Sequence, residues 1–222
     1  MNKRIVTVGL LILAIALVTR LLFLALKNIK VDEFKPAAIM FIIDSSASNQ
    51  GKLDEQKKYI KSLCNTLDPE DTIKILKVSE DSYLIYEGTP HNNSGISKSM
   101  EEFTKYNEKD RGTAYGQALK KAFNHALTMK KDGYVPAIVV IGDLENEGNA
   151  EKQINWNTLP KNVAEVQKYA PDLAMMFVYA HPSKLDLVKE KLSPVLGESK
   201  LIVSTEINAE KSARKLIEAI GR

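Results

Sequence analysis

Three runs in this chain, AAIMFII (37–43), VPAIVVIG (135–142) and LAMMFVYA (173–180), contain no charged residue. A strand with one face in water alternates apolar and polar side chains, so short, unbroken apolar runs belong to strands covered on both faces. The segments between them carry helical spacing. Residues 52–67 place Ile60, Leu63, Cys64 and Leu67 on one face; residues 114–129 do the same with Leu119, Ala122, Phe123 and Ala126. Further helices are expected at 159–169, 183–195 and 208–220, with Ala213, Leu216, Ile217 and Ile220 inward in the last, and a short one around 96–106. DTIKILKV (71–78), SYLIYEG (82–88) and KLIVS (200–204) read as further strands, the first two joined by a turn at Glu80-Asp81. Strands that alternate with helices, and that are apolar on both faces, predict an α/β fold: a doubly wound, mostly parallel sheet with helices on both sides.

Charge is unevenly distributed. The formal net charge is +3, but residues 1–30 hold five bases (Lys3, Arg4, Arg20, Lys27, Lys30) and no acid. The remaining 192 residues are therefore slightly acidic, which argues against a nucleic-acid partner. Within the basic N-terminus, residues 5–26 carry one charge, Arg20. A helix of that length reaches across a bilayer core of ~30 Å, and an off-centre arginine snorkels toward the nearer interface. The organisation expected is a membrane anchor over 1–30, a linker over 31–35 and one domain over 36–222. Lys3 and Arg4 favour an extracytoplasmic domain. The competing reading is a cleaved signal sequence, which would leave the domain secreted. The single cysteine, Cys64, lies on the apolar face of its helix and reads as a buried small hydrophobe.

The first apolar run ends at Asp44, in AIMFIIDSSASNQG, with Ser46 and Ser48 at alternate positions beyond it. The run over 135–142 ends just before Asp143, and Thr113 opens a helix in RGTAYGQAL. In open α/β sheets, ligands bind beyond the carboxyl ends of the strands where strand order reverses. Asp44, Ser46, Ser48, Thr113 and Asp143 offer only hard oxygens, with no histidine or thiolate among them. Such a set suits Mg²⁺, Mn²⁺ or Ca²⁺, and not zinc or copper.

Asp44-x-Ser46-x-Ser48, then Thr113 in a G-T-x-x-G setting, then Asp143 after an apolar strand, resembles the von Willebrand factor A (VWA) domain and its metal-ion-dependent adhesion site. The resemblance spans residues 36–220, and LDPEDTIKILKV (67–78) is similar to that family's second strand and its lead-in. It implies a Mg²⁺ or Mn²⁺ held by those five residues, and a protein partner that presents an acidic side chain to the metal. It implies an interaction module and not an enzyme. The family commonly has glycine after the last acid; here Leu144 stands there. Glu145, Asn146 and Glu147 are rim candidates or a solvated acidic loop.

Two alternatives stay beside this reading. One is a structural VWA scaffold with a vestigial metal site, its DSSASN string serving as turn and helix-cap chemistry. The other is a phosphatase of the haloacid dehalogenase type, whose nucleophilic aspartate needs an acid two residues on. Ser46 occupies that place. The histidines, His91, His125 and His181, are scattered, and no phosphate-binding loop or nucleophile elbow is present. Trp156 reads as a packing residue.

Overall fold

The computed structural model describes residues 18–20, 34–103, 112–204 and 208–222, except for the side chains of residues 47, 48, 50 and 103. The chain divides into two units, Met1–Phe34 and Lys35–Arg222. In the first unit, residues 18–20 are helical; the remainder of the expected anchor lies outside the described residues. Among the described residues, no helix is long and apolar enough to cross a membrane.

The second unit is built on a six-stranded sheet of order β3-β2-β1-β4-β5-β6. The strands are β1 (Ala37–Asp44), β2 (Thr72–Val78), β3 (Ser82–Gly88), β4 (Val135–Ile141), β5 (Ala174–Val178) and β6 (Leu201–Ser204). All neighbours pair in parallel except β2 and β3, which form an antiparallel hairpin with an irregularity between Ile75 and Leu76. The helices are α1 (Leu53–Cys64), α2 (Asn93–Phe103), α3 (Tyr115–Lys131), α4 (Leu159–Gln167), α5 (Pro182–Leu196) and α6 (Ala209–Ala219).

The side-chain alternation of β1 explains the two cores. Ala37, Ile39, Phe41 and Ile43 pack with α1, α2 and α6, including Tyr59, Ile60, Leu63, Met100 and Leu216. Met40 and Ile42 point the other way, into α3, α4 and α5, including Leu119, Phe123, Val163, Val188 and Leu192. Every residue of β1, β4 and β5 is buried. Cys64 is buried in the first core, and burial pushes its thiol up to about 12. Trp156 is partly buried against the second core, as a packing residue should be.

A buried ion pair closes the opposite end of the sheet. Asp71 accepts from the Ala37 backbone N–H (2.7 Å) and the Asp68 N–H (2.9 Å). The Arg222 guanidinium engages both its oxygens at 3.0 and 2.9 Å. The last residue is thus fastened to the amino ends of β1 and β2.

Candidate metal site

From β1 the chain winds outward to β2 and β3, then returns to the far side of β1 as β4. The strand order reverses between β1 and β4, which pair from Ala37↔Val135 to Ile43↔Ile141. Asp44 and Asp143 leave the carboxyl ends of these two neighbours, so the sheet alone brings the two carboxylates together.

The segment after β1 turns immediately. Ser45 extends the pairing with β2 through its N–H and its hydroxyl, both to the Val78 carbonyl (2.9 and 3.1 Å). A 3-10 turn over Ala47–Lys52 then leads into α1. The N-cap residue of that helix, Lys52, makes no side-chain cap hydrogen bond. The Ser46 N–H folds back onto Asp44 Oδ1 (2.8 Å), and the Ser46 hydroxyl bonds the same carboxylate. Ser48 lies within the 3-10 turn.

Asp44 is fully buried. Its Oδ2 accepts from the Tyr115 hydroxyl (2.8 Å) and from Asn49 Nδ2 (2.7 Å). The same Asn49 nitrogen donates to Asp143 Oδ2 (2.8 Å), so one amide bridges both carboxylates. Burial pushes the Asp44 carboxyl up to about 6 against the opposing pull of the Ser46 hydrogen bonds, and the neighbouring Asp143 charge adds to the rise. Ser46, Asn49 and Tyr115, which donate hydrogen bonds to Asp44, are all neutral.

Thr113 lies two residues before the start of α3 and ties the loop after β4 in place. Its hydroxyl donates to the Glu145 carbonyl (2.6 Å) and accepts from the Glu147 N–H (2.8 Å). Its own N–H donates to the Glu147 carbonyl (3.0 Å). Gly112 makes this approach possible: its φ is +120°, and a Cβ there would lie 3.2 Å from the Glu147 carbonyl oxygen. The Glu145 N–H returns to Asp143 Oδ1 (3.0 Å), while its side chain pairs with Lys184 at 3.2 Å. Asn146 is spent on the Ile154 backbone. The acidic loop is therefore a braced rim more than a free solvated one.

Leu144 adopts φ +61°, in the left-handed region. This is the position where the related pattern has glycine, and the backbone does turn there as a glycine would. The leucine side chain is fully buried in the second core, and the Leu144 N–H is directed at Tyr115. Gly142 permits a different closeness: an added Cβ would fall 1.9 Å from the Tyr115 hydroxyl and 2.5 Å from Asp44 Cβ.

Sequence reasoning missed Asn49, Tyr115 and Gly142. Asn49 lies inside the DSSASN string, which also reads as turn chemistry, and Tyr115 lies in a helical segment whose pattern assigns it no role. A polar atom on a residue at the mouth of an acid-bearing crevice was the available signal in both cases.

Among the described residues, no group of three or more His, Cys, Asp and Glu side chains could hold a metal. The set here differs in kind, being two carboxylates supplemented by hydroxyls. Its chemistry fits a hard divalent cation: the two acids share a buried crevice, and a single neutral amide stands between them.

Residues 39–146 match the family model described as von Willebrand factor type A domain. No curated protein matches. Among solved structures, the conserved hypothetical protein BatB from Bacteroides thetaiotaomicron is 13% identical, with TM-score 0.59, over 84% of this chain and 100% of that one. An aerotolerance-related membrane protein from Bacteroides fragilis is 16% identical, with TM-score 0.52, over 83% and 98%. The manganese-loaded Plasmodium vivax TRAP protein is 9% identical, with TM-score 0.60, over 84% and 74%. At these identities the likeness establishes the fold alone, an α/β fold similar to VWA domains, and the family model matches residues 39–146.

Proposed function

We propose that this VWA domain captures an acidic group of a partner protein through a divalent cation, Mg²⁺ before Mn²⁺ or Ca²⁺. Asp44, Ser46, Ser48, Thr113 and Asp143 would hold the ion, directly or through water. The bound cation supplies a Lewis-acidic position open to an outside carboxylate. The observation that carries the reading is the pair of buried carboxylates at the reversal of strand order, Asp44 held at about 6 by burial and its neighbour. A cation would relieve that repulsion. The manganese-loaded neighbour shares the fold, which adds support.

The chain's own residues serve binding and not turnover. Both Asp44 oxygens already carry hydrogen bonds, and Ser46 is no general acid near neutral pH. The domain is read as an interaction module held at a membrane by residues 5–26 and facing the extracytoplasmic side. A membrane-associated structural neighbour is consistent with that placement.

The test is thermal melting of EDTA-treated protein with and without excess Mg²⁺, because a ligand that binds the native state raises stability by mass action. A gain that is lost in Asp44→Ala is expected; an unchanged melting temperature in wild type sinks the metal reading. A pull-down from membranes with and without EDTA then identifies the partner. Capture that survives EDTA and Thr113→Ala favours the scaffold alternative. Protease shaving of intact cells checks the orientation.

A further inference from the structure

We infer that Asn49 is a built-in latch that stands in for the cation: its amide holds the two carboxylates together in the metal-free protein and must leave when an ion binds. The inference rests on the metal reading above. One nitrogen, Asn49 Nδ2, lies 2.7 Å from Asp44 Oδ2 and 2.8 Å from Asp143 Oδ2. A primary amide nitrogen has two hydrogens to give and no lone pair for a metal. Its two donors match the two carboxylate oxygens, and two acceptors on one side require the nitrogen, not the oxygen, to face them.

The same geometry forbids coexistence. Mg²⁺ sits about 2.0–2.1 Å from its oxygen ligands. An amide nitrogen hydrogen-bonded to both carboxylates fills the space between them that an ion using both would need. The residue is well placed to move: it lies in the 3-10 turn Ala47–Lys52, five positions after Asp44, and not on a strand. Its backbone N–H donates to the carbonyl of Ser46 (3.0 Å), the residue just before that turn. Release of Asn49 therefore couples the site to the segment that carries Ser46 and Ser48. The turn is in one arrangement with the amide seated and in another with the ion bound.

Two consequences follow. The latch lowers the repulsion between buried acids when no metal is present, so it keeps the metal-free domain folded. It also taxes cation affinity, because binding must first break two hydrogen bonds to charged groups.

The test uses the full chain, kept in mild detergent and stripped with EDTA, and titrates Mg²⁺ alone by calorimetry. Asn49→Ala is expected to bind Mg²⁺ about tenfold more tightly than wild type, and to melt lower than wild type without metal. Should Asn49→Ala be unfolded when stripped, recovery of native circular dichroism on adding Mg²⁺ supports the latch, and no recovery at saturating Mg²⁺ overturns it. In wild type, the Asn49 side-chain amide proton resonances are expected to move on Mg²⁺ addition. Heat of binding with those resonances unmoved overturns the latch, as does an Asn49→Ala affinity equal to or weaker than wild type; both leave the metal reading standing. No Mg²⁺ heat in either protein overturns the metal reading and the latch with it.

Discussion

Replacing Leu144 by alanine and, separately, by glycine isolates a backbone effect. Leu144 sits at φ +61° with its side chain fully buried. A left-handed conformation costs an L-residue about 1–2 kcal/mol. Removing a buried leucine side chain costs about 2–5 kcal/mol in lost transfer energy and cavity. Burial therefore outweighs strain, which is how a leucine survives where glycine would fit the backbone better. Leu144→Ala loses the packing and keeps the strain, for a cost of about 3 kcal/mol. Leu144→Gly loses nearly the same packing but relieves the strain. At an ordinary position glycine is worse than alanine by about 0.5–1 kcal/mol. Here relief of about 1–2 kcal/mol reverses the order, leaving the glycine variant more stable than the alanine one by about 0.5–1 kcal/mol. Urea unfolding followed by far-UV circular dichroism and Trp156 fluorescence measures both variants, read as a midpoint change at constant slope. If alanine proves the more stable by half a kilocalorie or more, the left-handed assignment at 144 is wrong, and so is the account of how its N–H reaches Tyr115.

Arg222→Ala leaves the Asp71 carboxylate buried with two backbone donors and no cation, so a loss of about 3 kcal/mol is expected by urea denaturation, at the low end for a broken buried pair; a loss under 1 kcal/mol would refute the clasp. Gly142→Ala forces a methyl against Tyr115 and Asp44 and is expected to lower the melting temperature and to erase its response to Mg²⁺, whereas a wild-type response would mean the crevice tolerates the shift. The Cys64 thiol is raised from 9.0 to about 12 and the Tyr59 hydroxyl from 10.0 to about 12. Folding thus favours their neutral forms, so this stability is complete below the unfolded values near pH 9–10 and drains away as pH rises toward 12. Cys64→Ala should flatten part of that alkaline decline in urea midpoints measured at pH 8 and pH 10.5, and an identical slope would count against it. Thiol reagents should meanwhile reach Cys64 only as fast as the protein unfolds.

The strands and helices were readable because each carries a strong periodic signal. Three wholly apolar runs became β1, β4 and β5, and the hairpin turn at Glu80-Asp81 lies where its polar pair stands between two strand patterns. Boundaries shifted at the entrance to α1, where Ala47–Lys52 forms a 3-10 turn. Serine and asparagine serve both turns and caps, and here the Ser46 N–H and the Asn49 amide bond Asp44 at the end of β1. The meeting of Asp44 with Asp143 followed from strand order. The roles of Asn49 and Tyr115 did not, because residues distant in sequence decide them. Tyr115 has an apolar body that fits a helix core face, and its hydroxyl acquires meaning only once β1 supplies an acid at 2.8 Å. Leu144 shows the reverse case. Its departure from glycine was plain in the sequence, but the compensation came from a core that local patterning does not display.

The placement of β1 has a mechanical consequence. It starts at Ala37, beside the unit's entry at Lys35, and ends at Asp44 in the proposed capture site. Tension between a captured partner and the chain's entry would run lengthwise along this one central strand. A load applied at both ends of one strand is carried by its covalent backbone, and the hydrogen bonds that flank it on β2 and β4 are loaded in shear only by the share that Asp143 would pass to β4. Resistance to such a pull is a matter of unfolding rate and not of equilibrium stability. The Asp71 carboxylate on the Ala37 N–H, with Arg222 behind it, reinforces the strand at the end where the load would enter. In the proposed capture mode, a pull on the partner would reach the chain's entry through this one strand without first having to unpair the sheet.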